Sequence, residues 1–169
     1  MQLDKRFLEE LKEYIQRHQE EAALPVCESS FRIESELLDD AKYSSELEDF
    51  ISENEQPSFS QELFSIIDEK GLTDPEVYRR AGIDRKLFSK IRSKPDYRVG
   101  RNTAIALALA LELEQDKTDD LLNTAGYSLS YSDSYDLVIR FCIEKKIYDI
   151  DYVNDALDSF RLKPLTGIG

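Results

Sequence analysis

Arg85, Lys86, Ser89 and Lys90 sit within the stretch DRKLFSKIR, whose other large side chains are Leu87, Phe88 and Ile91. At helical spacing the apolar set falls on one face, and the cations and the hydroxyl fall on the other. Ammonium and guanidinium groups so presented suit phosphate oxygens, and the fork of an arginine matches the O6 and N7 edge of guanine. The chemistry expected is recognition of a polyanion rather than bond breaking. An enzyme needs a nucleophile with its base, a metal cluster, paired carboxylates in a cleft or a phosphate-cradling glycine loop. The single histidine, His18, falls on the apolar side of the first expected helix, where packing is its expected role. The six glycines form no GxGxxG or GxxxxGKS pattern, and Cys27 and Cys142 have neither CxxC nor Cys/His spacing. No catalytic activity, cofactor or metal is therefore expected.

Charge is distributed unevenly. The chain of 169 residues carries a net charge of -13, which by itself opposes contact with a nucleic acid. Between Arg79 and Arg101, however, nine basic residues (79, 80, 85, 86, 90, 92, 94, 98 and 101) face two acids, Asp84 and Asp96. The first 56 residues hold sixteen acids and six bases. A basic patch on an acidic body would orient the protein on a polyanion while keeping non-specific affinity low. The alternative is a charged helix face that is merely solvated.

The elements that must position these side chains announce themselves locally. Thr73, Pro75 and Glu76 give a helix start, and the first short helix is expected from about Asp74 to Arg80 with Val77 and Tyr78 inward. Gly82 can take the positive φ of a tight turn, Ile83 packs beneath it, and Asp84 caps the second helix. The order of residues from about Ser60 to Leu113 resembles the Cro/cI-like repressor family, also called the XRE family of helix-turn-helix proteins. On that motif Asp74 falls at the start, Gly82 at the turn glycine, and Phe88 and Ile91 at core positions of the recognition helix. The resemblance implies a lambda-repressor-like fold. It further implies that Arg85, Lys86, Ser89 and Lys90 read bases and that Arg92, Arg98 and Arg101 lie near the sugar-phosphate backbone. Arg79 and Lys94 join the phosphate contacts on charge. Tyr78 departs from the pattern, since the family usually has a small residue there. The stretch from Ser58 onward is also similar to a helical module attached to macro domains in some bacterial proteins.

Around this core the periodicity predicts helices over about Asp4–Ala23, Glu34–Ala41, Ser45–Glu53, Ser58–Lys70, Arg101–Leu113, Thr118–Thr124, Asp133–Lys145 and Ile150–Phe160, with a frayed tail from Leu162. Arg101–Leu113 alternates small and large apolar residues, and its Ala and Leu content decides for a central helix over a strand. The expected fold is all-α: an acidic N-terminal helical arm over 1–56, the helix-turn-helix domain over 57–127, and a C-terminal helical extension over 128–169 on the same domain. No stretch approaches the roughly 20 apolar residues that span a bilayer, and the N-terminus is not a basic leader, so a cytoplasmic protein is expected. The leading functional expectation is a sequence-specific regulator of double-stranded DNA, working as a homodimer on two half-sites. The alternatives are a protein-interaction adaptor that keeps the repressor fold, as in bacterial defence or phage regulation, and an RNA-binding module. The acidic arm either packs on its own domain or a second copy, or docks a protein partner.

Overall fold

The computed structural model describes residues 4–21 and 40–166. Among them all regular structure is helical, as the sequence predicts, with nine helices in chain order: α1 Lys5–Glu21, α2 Asp40–Asn54, α3 Phe59–Lys70, α4 Asp74–Arg80, α5 Arg85–Ser93, α6 Arg101–Ala110, α7 Gln115–Thr124, α8 Ser134–Glu144 and α9 Ile150–Ser159. The chain divides into a body, residues 1–23 with 57–169, and a smaller unit, residues 24–56, that contains α2.

α6 is the centre of the body. Every residue from Ala104 to Leu111 is buried, so side chains on all faces find apolar neighbours, which a strand with one covered face does not require. α4, α7 and α9 pack directly on it; α3 lies on α5 and α7, and α8 on α7 and α9. Full burial of a Leu or Ile side chain is worth about 1.5–3 kcal/mol, so this one helix anchors the elements around it.

α1 belongs to this body. The expected division at residue 56 treated it as part of the arm, but Leu11 and Ile15 are buried and the helix packs along α8. Phe7 meets the rings of Phe141 and Tyr152 at 5.3 and 5.1 Å, and Tyr14 meets Phe141 at 5.2 Å. The Lys145 ammonium lies 2.8 Å from Glu10 and holds its carboxyl below the usual carboxylate range. His18 lies half-buried between the rings of Tyr14 and Tyr131, in the packing role expected of it. In the smaller unit, α2 covers the second expected arm helix and the end of the first. The rest of the first, and Cys27, lie outside the described residues. Cys142 is enclosed in the core, where burial pushes its thiol up to about 12.

Helix starts follow local chemistry at α3 but not at α7. Ser58 and Gln61 exchange reciprocal hydrogen bonds, Gln61 N to Ser58 Oγ at 3.3 Å and Ser58 N to Gln61 Oε1 at 2.9 Å, and α3 begins as the capping box predicts. α7, by contrast, starts at Gln115 rather than at Thr118. Thr118 is buried in the first turns and its hydroxyl donates to the Leu113 carbonyl at 3.4 Å, so it ties the helix to the preceding turn instead of capping it. The expected frayed tail is also fastened: Leu165 is buried, and its amide donates to Asn154 Oδ1 at 2.7 Å.

α3, α4 and α7 stop at glycines with positive φ, whereas the turns after α6, α8 and α9 put Glu112, Lys146 and Arg161 in the same left-handed region. Lys146 has φ 57° and, among the described residues, an exposed ion pair of 3.7 Å to Glu114 to lose. Lys146→Gly should therefore raise stability by about 1 kcal/mol, roughly 2–4 °C in Tm, measured by thermal denaturation. A second substitution removes an unmatched polar group. The Tyr135 hydroxyl is buried with no hydrogen-bond partner among the described residues, and burial pushes its pKa up to about 12. Tyr135→Phe is expected to leave stability unchanged or raise it by up to about 1 kcal/mol in denaturant unfolding, since the orphan hydroxyl contributes only a desolvation cost.

Candidate nucleic-acid interface

α4 and α5 are set by the turn between them. The Glu76 carboxylate accepts from both the amide and the hydroxyl of Thr73 at 2.8 Å, and these bonds hold the carboxyl below its usual range. At the other end of α4, Gly82 adopts φ 64°, its amide donates to the Arg79 carbonyl at 3.1 Å, and the Ile83 amide donates to the Tyr78 carbonyl at 3.1 Å. A Cβ on Gly82 would meet Thr166 Oγ1 at 3.4 Å, so the fastened C-terminal segment backs the turn. Asp84 then accepts from the Lys86 amide at 3.2 Å and opens α5.

α5 is held by α3 and α4. Phe88 and Ile91 are buried, the Phe88 ring lies 5.7 Å from Phe64 of α3, and the Ser60 hydroxyl donates to the Ile91 carbonyl at 2.8 Å. Tyr78, the residue that departs from the repressor pattern, is half-buried with its ring 5.8 Å from that of Phe88. The bulky ring thus fills the space between α4 and α5.

The outward face then carries Arg85, Lys86, Ser89, Lys90 and Arg92, all exposed. Arg85 and Lys86 have no ion pair among the described residues. The Lys90 ammonium lies 5.3 Å from the centre of the Tyr97 ring, a cation–π contact that orients it toward the loop after α5. That loop brings up Lys94 and Arg98, both exposed, and is pinned by the Tyr127 hydroxyl, which donates to the Val99 carbonyl at 2.9 Å. Arg92 is shared inward: its guanidinium lies 4.0 Å from the Phe64 ring centre and pairs with Asp74.

Three of the nine basic residues between Arg79 and Arg101 are placed differently from the rest. Arg79, with Arg80, borders a hollow of about 350 Å³ whose lining also includes Asp149 and Asp151, so it stands among carboxylates. Arg101 is an internal clamp. Its Nη2 donates to Asp136 Oδ1 at 2.6 Å and to the Ser128 carbonyl at 2.9 Å, while the second Asp136 oxygen accepts from the Ser130 amide at 2.7 Å. Asp136 is 5 % exposed in its side chain and Arg101 32 %, so the pair locks α6 to the start of α8. The surface set is thus Arg85, Lys86, Ser89, Lys90, Lys94 and Arg98, with Arg92 at its edge. Sequence reasoning missed the positioning roles of Ser60, Phe64, Asp74 and Asp136; of these, Asp74 and Asp136 left a local signal, each in the first turn of its helix.

No family model, curated protein or solved structure matches the chain. Among the described residues, no helix is long and apolar enough to cross a membrane.

Proposed function

We propose that this protein is a sequence-specific binder of double-stranded DNA, acting as a transcriptional regulator of helix-turn-helix type without catalytic activity. The observation that carries the reading is the division of α5: Phe88 and Ile91 are fixed in the core, and Arg85, Lys86, Ser89 and Lys90 are exposed on a helix that cannot roll. α5 would enter the major groove, with Arg85 and Lys86 nearest the bases because the N-terminal residues of a recognition helix reach the base edges. Lys90, Lys94 and Arg98 would hold phosphates, and the acidic remainder would limit binding elsewhere. Two copies on half-sites about 34–36 Å apart belong to the same reading.

The test is selection from a randomised duplex pool by the full chain. Enrichment of one motif, lost in the Arg85→Ala/Lys86→Ala variant, is expected; recovery of unenriched sequence would contradict sequence-specific binding.

A second reading, a protein-interaction adaptor that uses the same basic face, draws on the inward sharing of two cations, Lys90 with Tyr97 and Arg92 with Phe64 and Asp74. Nuclease-resistant capture of a single acidic protein, lost on charge removal from α5, would favour it.

A further inference from the structure

α2 differs from the helices of the body in what it shows to solvent. Tyr43, Leu47, Phe50 and Ile51 recur at i, i+4, i+7 and i+8 and are 47, 58, 64 and 55 % exposed. At about 100° per residue they form one stripe, bordered by Glu46 and Glu53 on one side and Glu48 on the other, with Asp49 on the far face. The helix holds five acids and one lysine in 15 residues. Isolated helices of this length are marginal in water, so a stripe of four large apolar side chains is a surface that association would stabilise.

We propose that α2 is a docking helix, and that its occupant is a different protein presenting an apolar groove rimmed by lysine or arginine. Charge selects that partner. Two α2 stripes laid together would bring Glu46 and Glu48 of both copies along one seam, a like-charge arrangement that works against self-pairing. Among the described residues outside α2 the one exposed large hydrophobic is Tyr131, and it is already occupied by the Arg140 guanidinium at 4.2 Å and the His18 ring at 5.2 Å. An apolar helical face flanked by carboxylates is the ligand half of helix-in-groove recognition, with cations on the groove's rim supplying orientation and on-rate. The inference stands on α2 alone and is independent of what α5 binds.

The test uses the labelled full-length chain and three synthetic helical peptides: one with a leucine stripe rimmed by lysines, its leucine–glutamate counterpart, and a lysine–serine peptide of equal charge. Fluorescence anisotropy should show binding of the leucine–lysine peptide alone. The Leu47→Ser/Phe50→Ser variant should weaken it by about tenfold or more, with the body's unfolding transition unchanged. Glu46→Lys/Glu48→Lys should shift the preference toward the leucine–glutamate peptide. Equal binding of the lysine–serine peptide, or no effect of the serine variant, would overturn the proposal in favour of charge alone. A dimer in sedimentation equilibrium that the serine variant abolishes would make the occupant a second copy and also overturn it. So would strong protection of α2 amides from hydrogen exchange in the isolated monomer, lost in the serine variant, because the stripe would then be covered by its own chain.

Discussion

Replacing Arg85 by Ala should flatten base selectivity far more than it weakens general attraction to DNA. On a selected site, loss of a bidentate arginine–guanine contact is worth about 1–3 kcal/mol, roughly 5- to 150-fold in Kd. On random duplex the same variant loses only one charge, and the salt slope falls by about one at most. The expected outcome is thus a change in the ratio of the two affinities, read by titrating both duplexes in parallel. Lys90 provides the contrast. Its ammonium is oriented by Tyr97 toward the loop that carries Lys94 and Arg98, so Lys90→Ala should lower both affinities alike. If Arg85→Ala also lowers both alike, Arg85 holds a phosphate and the base-reading role is wrong.

The largest effect on stability is expected at Asp136, although the residue touches no part of the basic surface. Its carboxylate takes hydrogen bonds from Arg101 and from the Ser130 amide, and it is almost fully enclosed. Removing one partner of a buried pair leaves the other uncompensated, a loss of about 3–5 kcal/mol where both are enclosed. Arg101 keeps about a third of its side chain in solvent, so Asp136→Ala should destabilise by about 2–4 kcal/mol in denaturant unfolding. Arg101→Ala, which leaves the more deeply enclosed Asp136 carboxylate unmatched, should cost a similar amount, and the double variant should be little worse than either single change, because the two remove one interaction. Additive losses, or a loss below about 1 kcal/mol for Asp136→Ala, would show that the clamp contributes little. At temperatures where all variants stay folded, Arg101→Ala should change DNA affinity less than Lys94→Ala or Arg98→Ala, since its charge is already matched.

The start of α4, the turn at Gly82, the cap at Asp84 and the central helix α6 were legible in the sequence because each depends on residues a few positions apart. A capping carboxylate, a glycine free to take positive φ and a run of Ala and Leu carry their own instructions. What failed to show depends on distant partners. Arg101 reads as one more cation in a basic run until Asp136, 35 positions away, folds against it. Leu165 reads as part of a loose tail until Asn154 and the core hold it. α1 reads as the start of an arm because its stripe of Phe7, Leu11 and Ile15 does not name α8 as the surface it covers. Thr118 misled for a different reason: a Thr before a helical pattern caps when it is exposed at the end, but here its hydroxyl turns back to Leu113. In the candidate site, periodicity alone put the cations on one exposed face. It carried no sign that Lys90 would lean on Tyr97 or that Arg92 would be shared with Asp74 and Phe64.

The most direct test is fluorescence anisotropy of the full chain on labelled duplex DNA at about 50 and 200 mM salt, comparing wild type with the Arg85→Ala/Lys86→Ala/Lys90→Ala variant. The result expected is tight binding by wild type that weakens steeply between the two salts, and loss of that binding in the variant while its helical spectrum and unfolding transition are retained. No binding by the folded wild type at either salt, or binding that the triple substitution leaves intact, would contradict the assignment of the α5 face as a DNA-reading surface.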